Sequence, residues 1–260
     1  MKADEAIMSE SVEAREARLP FRFPKELVIA LAVLAVGWQI LSLFVPPFVA
    51  PGWDRIFTSL AGLPLKFVGV TLARVVAALV VSFLLGIVLA VLMYASESVE
   101  RYGRPVVRLL MAVPVVCWIL FAVLWFKWVE LRIGFVLVVV CGPVFIVDAL
   151  DGMKGVSRDL RDMLRSFRPS RLHFFTKLIL PATLPTILTS WKINLSLAIR
   201  VVTMAELVGA VSGIGYGLVV AQELFSVAEV FAWTFILVAI LFAAEAVLTR
   251  VEDRLLRWRV

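Results

Sequence analysis

Any chemistry in this 260-residue chain starts from a few ionisable side chains inside otherwise apolar runs: Arg74, Lys192, Arg200 and Glu206, with the polar Asn194 among them. Charges at such positions are costly in hydrocarbon and normally face a cavity or a partner, so their chemistry is electrostatic handling of a charged solute. The alternative for each is a structural ion pair or a snorkelling side chain. Arg200 and Glu206 are six residues apart and project about 240° apart on an ideal helix, so they do not pair within one helix. Glu206 is instead placed to meet Arg74. Catalytic residues are not expected. His173 is the only histidine, no metal-ligand spacing surrounds Cys117 or Cys141, and no nucleophile elbow, P-loop or glycine-rich phosphate cradle occurs. No metal or cofactor is expected on this chain, and any energy source must sit on another one.

The elements that position these residues are set by lipid. The chain is 62% hydrophobic and 18% charged, with a mean hydropathy of +0.99. A soluble fold of this size cannot hide so much apolar surface, which excludes a soluble enzyme, a fibre and a disordered chain. The expected fold is all-α and polytopic, with spans at 27–45, 67–95, 109–126, 133–150, 181–207 and 230–249, after a polar tail at 1–26. Pro46-Pro47 ends the first span. Ala78, Ser82, Gly86 and Ala90 recur every fourth residue, a small-residue stripe for helix packing or for a seam that slides.

Basic residues orient the spans. With the N-terminus inside, five fall in the tail, three at 101–108, seven at 154–177 and four at 250–259, against four outside. That bias puts both termini in the cytoplasm and explains the net charge of +6 without nucleic acid.

The 151–180 segment between the fourth and fifth spans carries an amphipathic helix over Asp159–Phe167. Leu160, Met163, Leu164 and Phe167 fall at i, i+3, i+4 and i+7. Pro169 stops that helix, a second short helix is expected over 170–178, and Pro181 suits the start of the next span. Physically, such a helix can lie on the membrane, pack on its own bundle or dock in a partner's groove.

The segment resembles the signature loop of binding-protein-dependent ABC importer permeases: Glu-Ala-Ala, three residues, Gly, nine residues, then Ile-x-Leu-Pro. Asp162-Met163-Leu164 holds the triplet position and Arg168 the glycine position, and Leu178-Ile179-Leu180-Pro181 closes it. The spacing matches throughout and the identities at Leu180 and Pro181. Arg168 for glycine implies that the helix breaks here by a different backbone geometry. Thr71-Leu72-x-Arg74, Val113-Pro114 with Leu124-Trp125-Phe126, Ala205-Glu206 with Ser212-Gly213-Ile214-Gly215-Tyr216, and Pro46-Pro47-Phe48-Val49-Ala50-Pro51 resemble the nitrate, sulfonate and taurine branch.

The resemblance implies a type I importer permease in the bacterial inner membrane, spanning 27–260, with no catalytic site. It implies a homodimer, an extracytoplasmic solute-binding protein, and cytoplasmic ATPase subunits that carry ATP and Mg. Asp159, Asp162, Met163, Leu164, Arg165, Phe167 and Arg168 would form the coupling helix. Arg74, Lys192, Asn194, Arg200 and Glu206 are the candidate pathway residues for a small, anionic solute. An ion-gradient-driven secondary carrier is the alternative. It predicts an internal repeat, which the chain lacks, and leaves the loop without a role.

Overall fold

The computed structural model describes residues 25–256, and every regular element among them is helical. Most of the 1–26 tail and the last basic residues, Arg257 and Arg259, lie outside the described residues. The chain divides into two units, at Arg55.

In the first unit, α1 (Lys25–Phe44) is an apolar helix that ends before Pro46-Pro47. The following chain folds back on it. Trp38 Nε1 donates to Pro51 O at 3.0 Å, Trp53 N–H to Gln39 Oε1 at 3.1 Å, and Trp53 Nε1 to Ala35 O at 3.0 Å. Helix α2 (Trp53–Gly62) begins at the end of this unit and continues into the second.

The second unit is built on α3 (Lys66–Ala95), α6 (Val129–Lys154) and α9 (Leu180–Leu207). Helices α3 and α6 run parallel, since Arg74 meets Glu130 near their starts and Met93 and Met153 share a cluster near their ends. Helix α9 returns antiparallel, bringing Glu206 back to Arg74. The small-residue stripe is buried on this packing face. A Cβ on Gly86 would stand 2.7 Å from Phe145 Cβ, so α3 and α6 approach at a distance only glycine permits. Val75, Leu79, Leu137, Cys141, Phe145 and Val202 fill the core between the three helices.

The 109–126 stretch departs from the expected straight span. It is split between α4 (Glu97–Ala112) and α5 (Val115–Trp125), which meet at 93°. Pro114 lacks an N–H and holds Val113 extended, at φ −76° and ψ 126°, so the helix cannot continue through it. Helix α4 is amphipathic and crosses the end of the bundle where α3 and α6 finish. There Glu100 bonds Arg104 at 2.7 Å and Lys154 at 2.5 Å, and Arg104 bonds Asp151 at 3.0 Å. The Lys154 ammonium, then the Arg104 guanidinium, hold the Glu100 carboxyl below the usual carboxylate range.

After α6 come the short α7 (Arg158–Ser166) and α8 (Arg171–Phe174). The second short helix does not end before Pro181, as the sequence suggests. It passes through a π turn, Phe175–Ile179, straight into α9, with Leu180 N–H donating to Phe175 O. The wider turn fits a segment whose next residue, Pro181, has no N–H to continue the α-helical ladder. Helices α10 (Ile214–Glu223) and α11 (Val227–Leu255) complete the fold.

By length and composition four helices of this unit can cross a membrane: α3, α6, the continuous helix ending in α9, and α11. Among the described residues the bent pair α4–α5 makes five if it counts as one span, and the apolar stretch of α1, Val28–Phe44, is shorter than these.

Candidate functional site

Two polar constructions stand at opposite ends of the second unit. The first joins the start of α3, the start of α6 and the end of α9. Glu206 is 1% exposed. Its carboxylate accepts from Arg74 Nη1 at 2.7 Å, Thr71 Oγ1 at 3.0 Å and Gly215 N–H at 2.9 Å. Arg74 turns its remaining donors to Glu130 (2.8 and 2.6 Å), Ser212 O (2.7 Å) and Ser212 Oγ (3.2 Å). All five guanidinium N–H groups are therefore used within the chain. The loop from α9 to α10 closes over this clamp. Gly213 has φ +111°, and a side chain there would enter the Glu206 carboxylate. A Cβ on Gly215 would stand 2.5 Å from Glu206 Cβ.

The expected Arg74–Glu206 pairing is thus present. Of its partners, Thr71 and Ser212 stand in the motifs that carry the resemblance, without a role assigned to them there, and Glu130 has no place in the sequence reading. Glu130 had a signal, since it is an acid in the first turn of a helix that follows an apolar run.

The other pathway candidates are separate from this clamp. Lys192 pairs with Glu252 on α11, and Ser196 donates to Glu245 at 2.8 Å. Asn194 is fully buried. Its amide donates to Ser190 O at 3.1 Å, while its Oδ1 has no partner. Arg200 is exposed and has no hydrogen bond or ion pair among the described residues.

The second construction is the 151–180 segment. Ser157 caps α7, its hydroxyl accepting from Leu160 N–H at 3.4 Å. Arg161 reaches back to Met153 O at 3.0 Å and Lys154 O at 2.6 Å, placing a cation on the last carbonyls of α6. This anchor, also missed in the sequence, fixes α7 to the long helix before it. No residue of α7 is buried. Leu160 and Met163 are exposed, Leu164 is half-buried, and Phe167 is 76% exposed. Asp159, Asp162 and Arg165 face solvent, with Arg165 3.8 Å from Asp162 and over the Phe174 ring at 5.7 Å.

The turn after α7 corrects one expectation. Arg168, at the signature glycine position, has φ +49°. It takes the left-handed conformation that glycine takes without strain, rather than a different geometry. Arg168 N–H donates to Arg165 O at 2.9 Å and closes the helix. The backbone requirement persists although the side chain differs.

Residues 82–257 match the family described as binding-protein-dependent transport system inner membrane component. The chain is 30% identical over 190 residues to the formylaminopyrimidine transport permease protein ThiX of Halalkalibacterium halodurans, covering 73% of this chain and 76% of that one. It is 28% identical to the taurine transport system permease protein TauC of Escherichia coli, over 97% of each chain. Against the putative aliphatic sulfonates transport permease protein SsuC of Bacillus subtilis the identity is 24%, over 96% and 93%. The fold is shared with the MetNI methionine ABC transporter in its inward-facing form. There the TM-score is 0.67 at 16% identity, over 74% of this chain and 95% of that one.

Proposed function

Since the chain belongs to the family of binding-protein-dependent transport system inner membrane components, we propose that it is the membrane-spanning permease of an ATP-driven importer of a small, anionic solute. Two copies enclose the pathway, two cytoplasmic ATPase subunits carry ATP and Mg, and an extracytoplasmic binding protein delivers the solute. This chain does no covalent chemistry. Both termini face the cytoplasm in this reading, which the distribution of basic residues supports. The anionic class is supported by Arg200 and by relatives described as taurine, aliphatic sulfonate and nitrate permeases.

The observation that carries the reading is α7. A capped helix with an exposed apolar stripe, fixed by Arg161 to a long spanning helix, is suited to pass a partner's motion into the bundle. Closure of the ATPase dimer would push on α7 and swing α6 and α9 as rigid bodies. Asp159, Asp162, Arg165 and Arg168 would meet the rim of the ATPase cleft, while Met163, Leu164 and Phe167 fill it.

Uptake in proteoliposomes holding this chain, its ATPase and its binding protein tests the proposal. Accumulation should require ATP and persist when ion gradients are collapsed. Accumulation that follows an ion gradient without ATP would make the chain a secondary carrier.

A further inference from the structure

Beside the turn after α7 lies a cavity of about 810 Å³. One wall is the end of α3, with Val91, Tyr94 and Ala95, and the other comes from the stretch between Arg165 and Phe175. Val91, Tyr94, Phe174 and Phe175 also pack on the cluster of Met93, Met153 and Ile179, so the walls are set by the core. Two guanidinium groups line the cavity and no carboxylate does. Arg165 is held over the Phe174 ring at 5.7 Å, with Asp162 3.8 Å away and outside the lining. Arg168 is exposed, and its side chain has no hydrogen bond or ion pair among the described residues.

The depth of the cavity is set by α3. Its 30 residues rise about 45 Å, the thickness of a bilayer with its headgroups. Ala95 is the last of them, so the cavity stands at headgroup level. From there an apolar face leads into the membrane. Leu84 and Val88, each 57% exposed, share that face with Val91 and Ala95, at i, i+4, i+7 and i+11. From Ala95 to Leu84 it runs about 16 Å, close to the hydrocarbon depth of one leaflet. Cations at one end and exposed apolar helix along the rest match a phospholipid, whose phosphate and acyl chain need both. A free phosphate would use the cations alone.

We propose that this cavity seats one anionic phospholipid of the cytoplasmic leaflet, its phosphate between Arg165 and Arg168 and an acyl chain along the Leu84–Ala95 face of α3. Basic pockets beside spanning helices on the cytoplasmic side suit anionic headgroups. Tyr94 stands where aromatic side chains meet that interface. The proposal rests on the importer reading only for the side of the membrane on which α7 lies. A phosphate held there ties the turn after α7 to the end of α3, so the lipid steadies the helix that takes up the partner's motion. Each guanidinium has five donors, so binding the phosphate leaves others for a protein partner.

The test uses the full-length permease, purified without an ATPase so that lipid binding is read apart from docking. Native mass spectrometry follows the phosphatidylglycerol and phosphatidylcholine retained as each is titrated in. Wild type should retain phosphatidylglycerol in preference to phosphatidylcholine. Arg165→Gln and Arg168→Gln should each weaken that retention about fivefold, and together about thirtyfold, at about 1 kcal/mol per basic residue. Val91→Trp, which fills the cavity without changing charge, should weaken it too. Lys177→Gln, which removes an exposed cation outside the lining, should not. Equal retention of the two lipids, wild-type retention by the double variant or by Val91→Trp, or an equal loss in Lys177→Gln overturns the proposal. So does displacement of the lipid by inorganic phosphate, which would make the cavity a free-anion site. None of these readouts depends on ATP. The importer reading fails separately, if wild-type uptake does not need ATP.

Discussion

Arg168 shows how a backbone requirement outlasts the residue that usually meets it. Its φ of +49° is the left-handed geometry that costs a non-glycine residue about 1–2 kcal/mol. Arg168→Gly removes that strain while adding unfolded-state freedom, so it should leave the loop within about 1 kcal/mol of wild type. Arg168→Val should destabilise it by more than that, read as faster amide exchange over 164–170. The clamp at the other end is less forgiving. Arg74→Ala leaves the buried Glu206 carboxyl without its partner, and breaking such a buried pair costs about 3–5 kcal/mol. Thermal melting of the purified protein should fall by roughly 10 °C. At this scale the sequence disclosed the Arg74–Glu206 pair, because a charge in an apolar run must be compensated. It did not disclose Glu130, nor the roles of the motif residues Thr71 and Ser212, which depend on how three helix ends and a loop converge.

Helices were legible where hydrophobicity and length agreed, as in α3, α6, α9 and α11. They were misread where a proline acts locally. Pro114 breaks the third apolar stretch at 93°, while Pro181 sits in the first turn of α9, where the preceding π turn joins that helix to the short one before it without a break. Apolar composition alone cannot distinguish these outcomes, since both prolines follow hydrophobic residues. The difference lies in the turn each is given. The small-residue stripe, by contrast, has a definite use. Gly86 is the point of closest approach of α3 to α6, so Gly86→Leu should separate them, an overpacking cost of about 1–3 kcal/mol or more. The expected readout is a lowered melting temperature, with Gly69→Leu, where a Cβ would meet nothing within 4 Å, as the unchanged control.

For the molecule as a whole, the polar ends and the apolar middle divide the work. The Arg74–Glu206 clamp fixes three helices and a loop at one end, and α7 offers an exposed apolar stripe at the other. A motion applied at α7 is therefore delivered to helices already tied together far from it. That is what coupling to an ATPase demands. The class of the molecule followed from composition, and the position of α7 from its 3.6-residue period and spacing. The proposed ATPase contact follows from neither. The most direct measurement is the retention of the ATPase subunit on the purified permease, for wild type and Phe167→Ala, with solute-stimulated ATP hydrolysis alongside. Phe167 is 76% exposed and supports nothing in the bundle, so the variant should insert and melt as wild type does. Loss of about 2–4 kcal/mol of docking energy should strip the ATPase from it and abolish the stimulation. A Phe167→Ala permease that keeps its ATPase and hydrolyses ATP at wild-type rates would contradict the account.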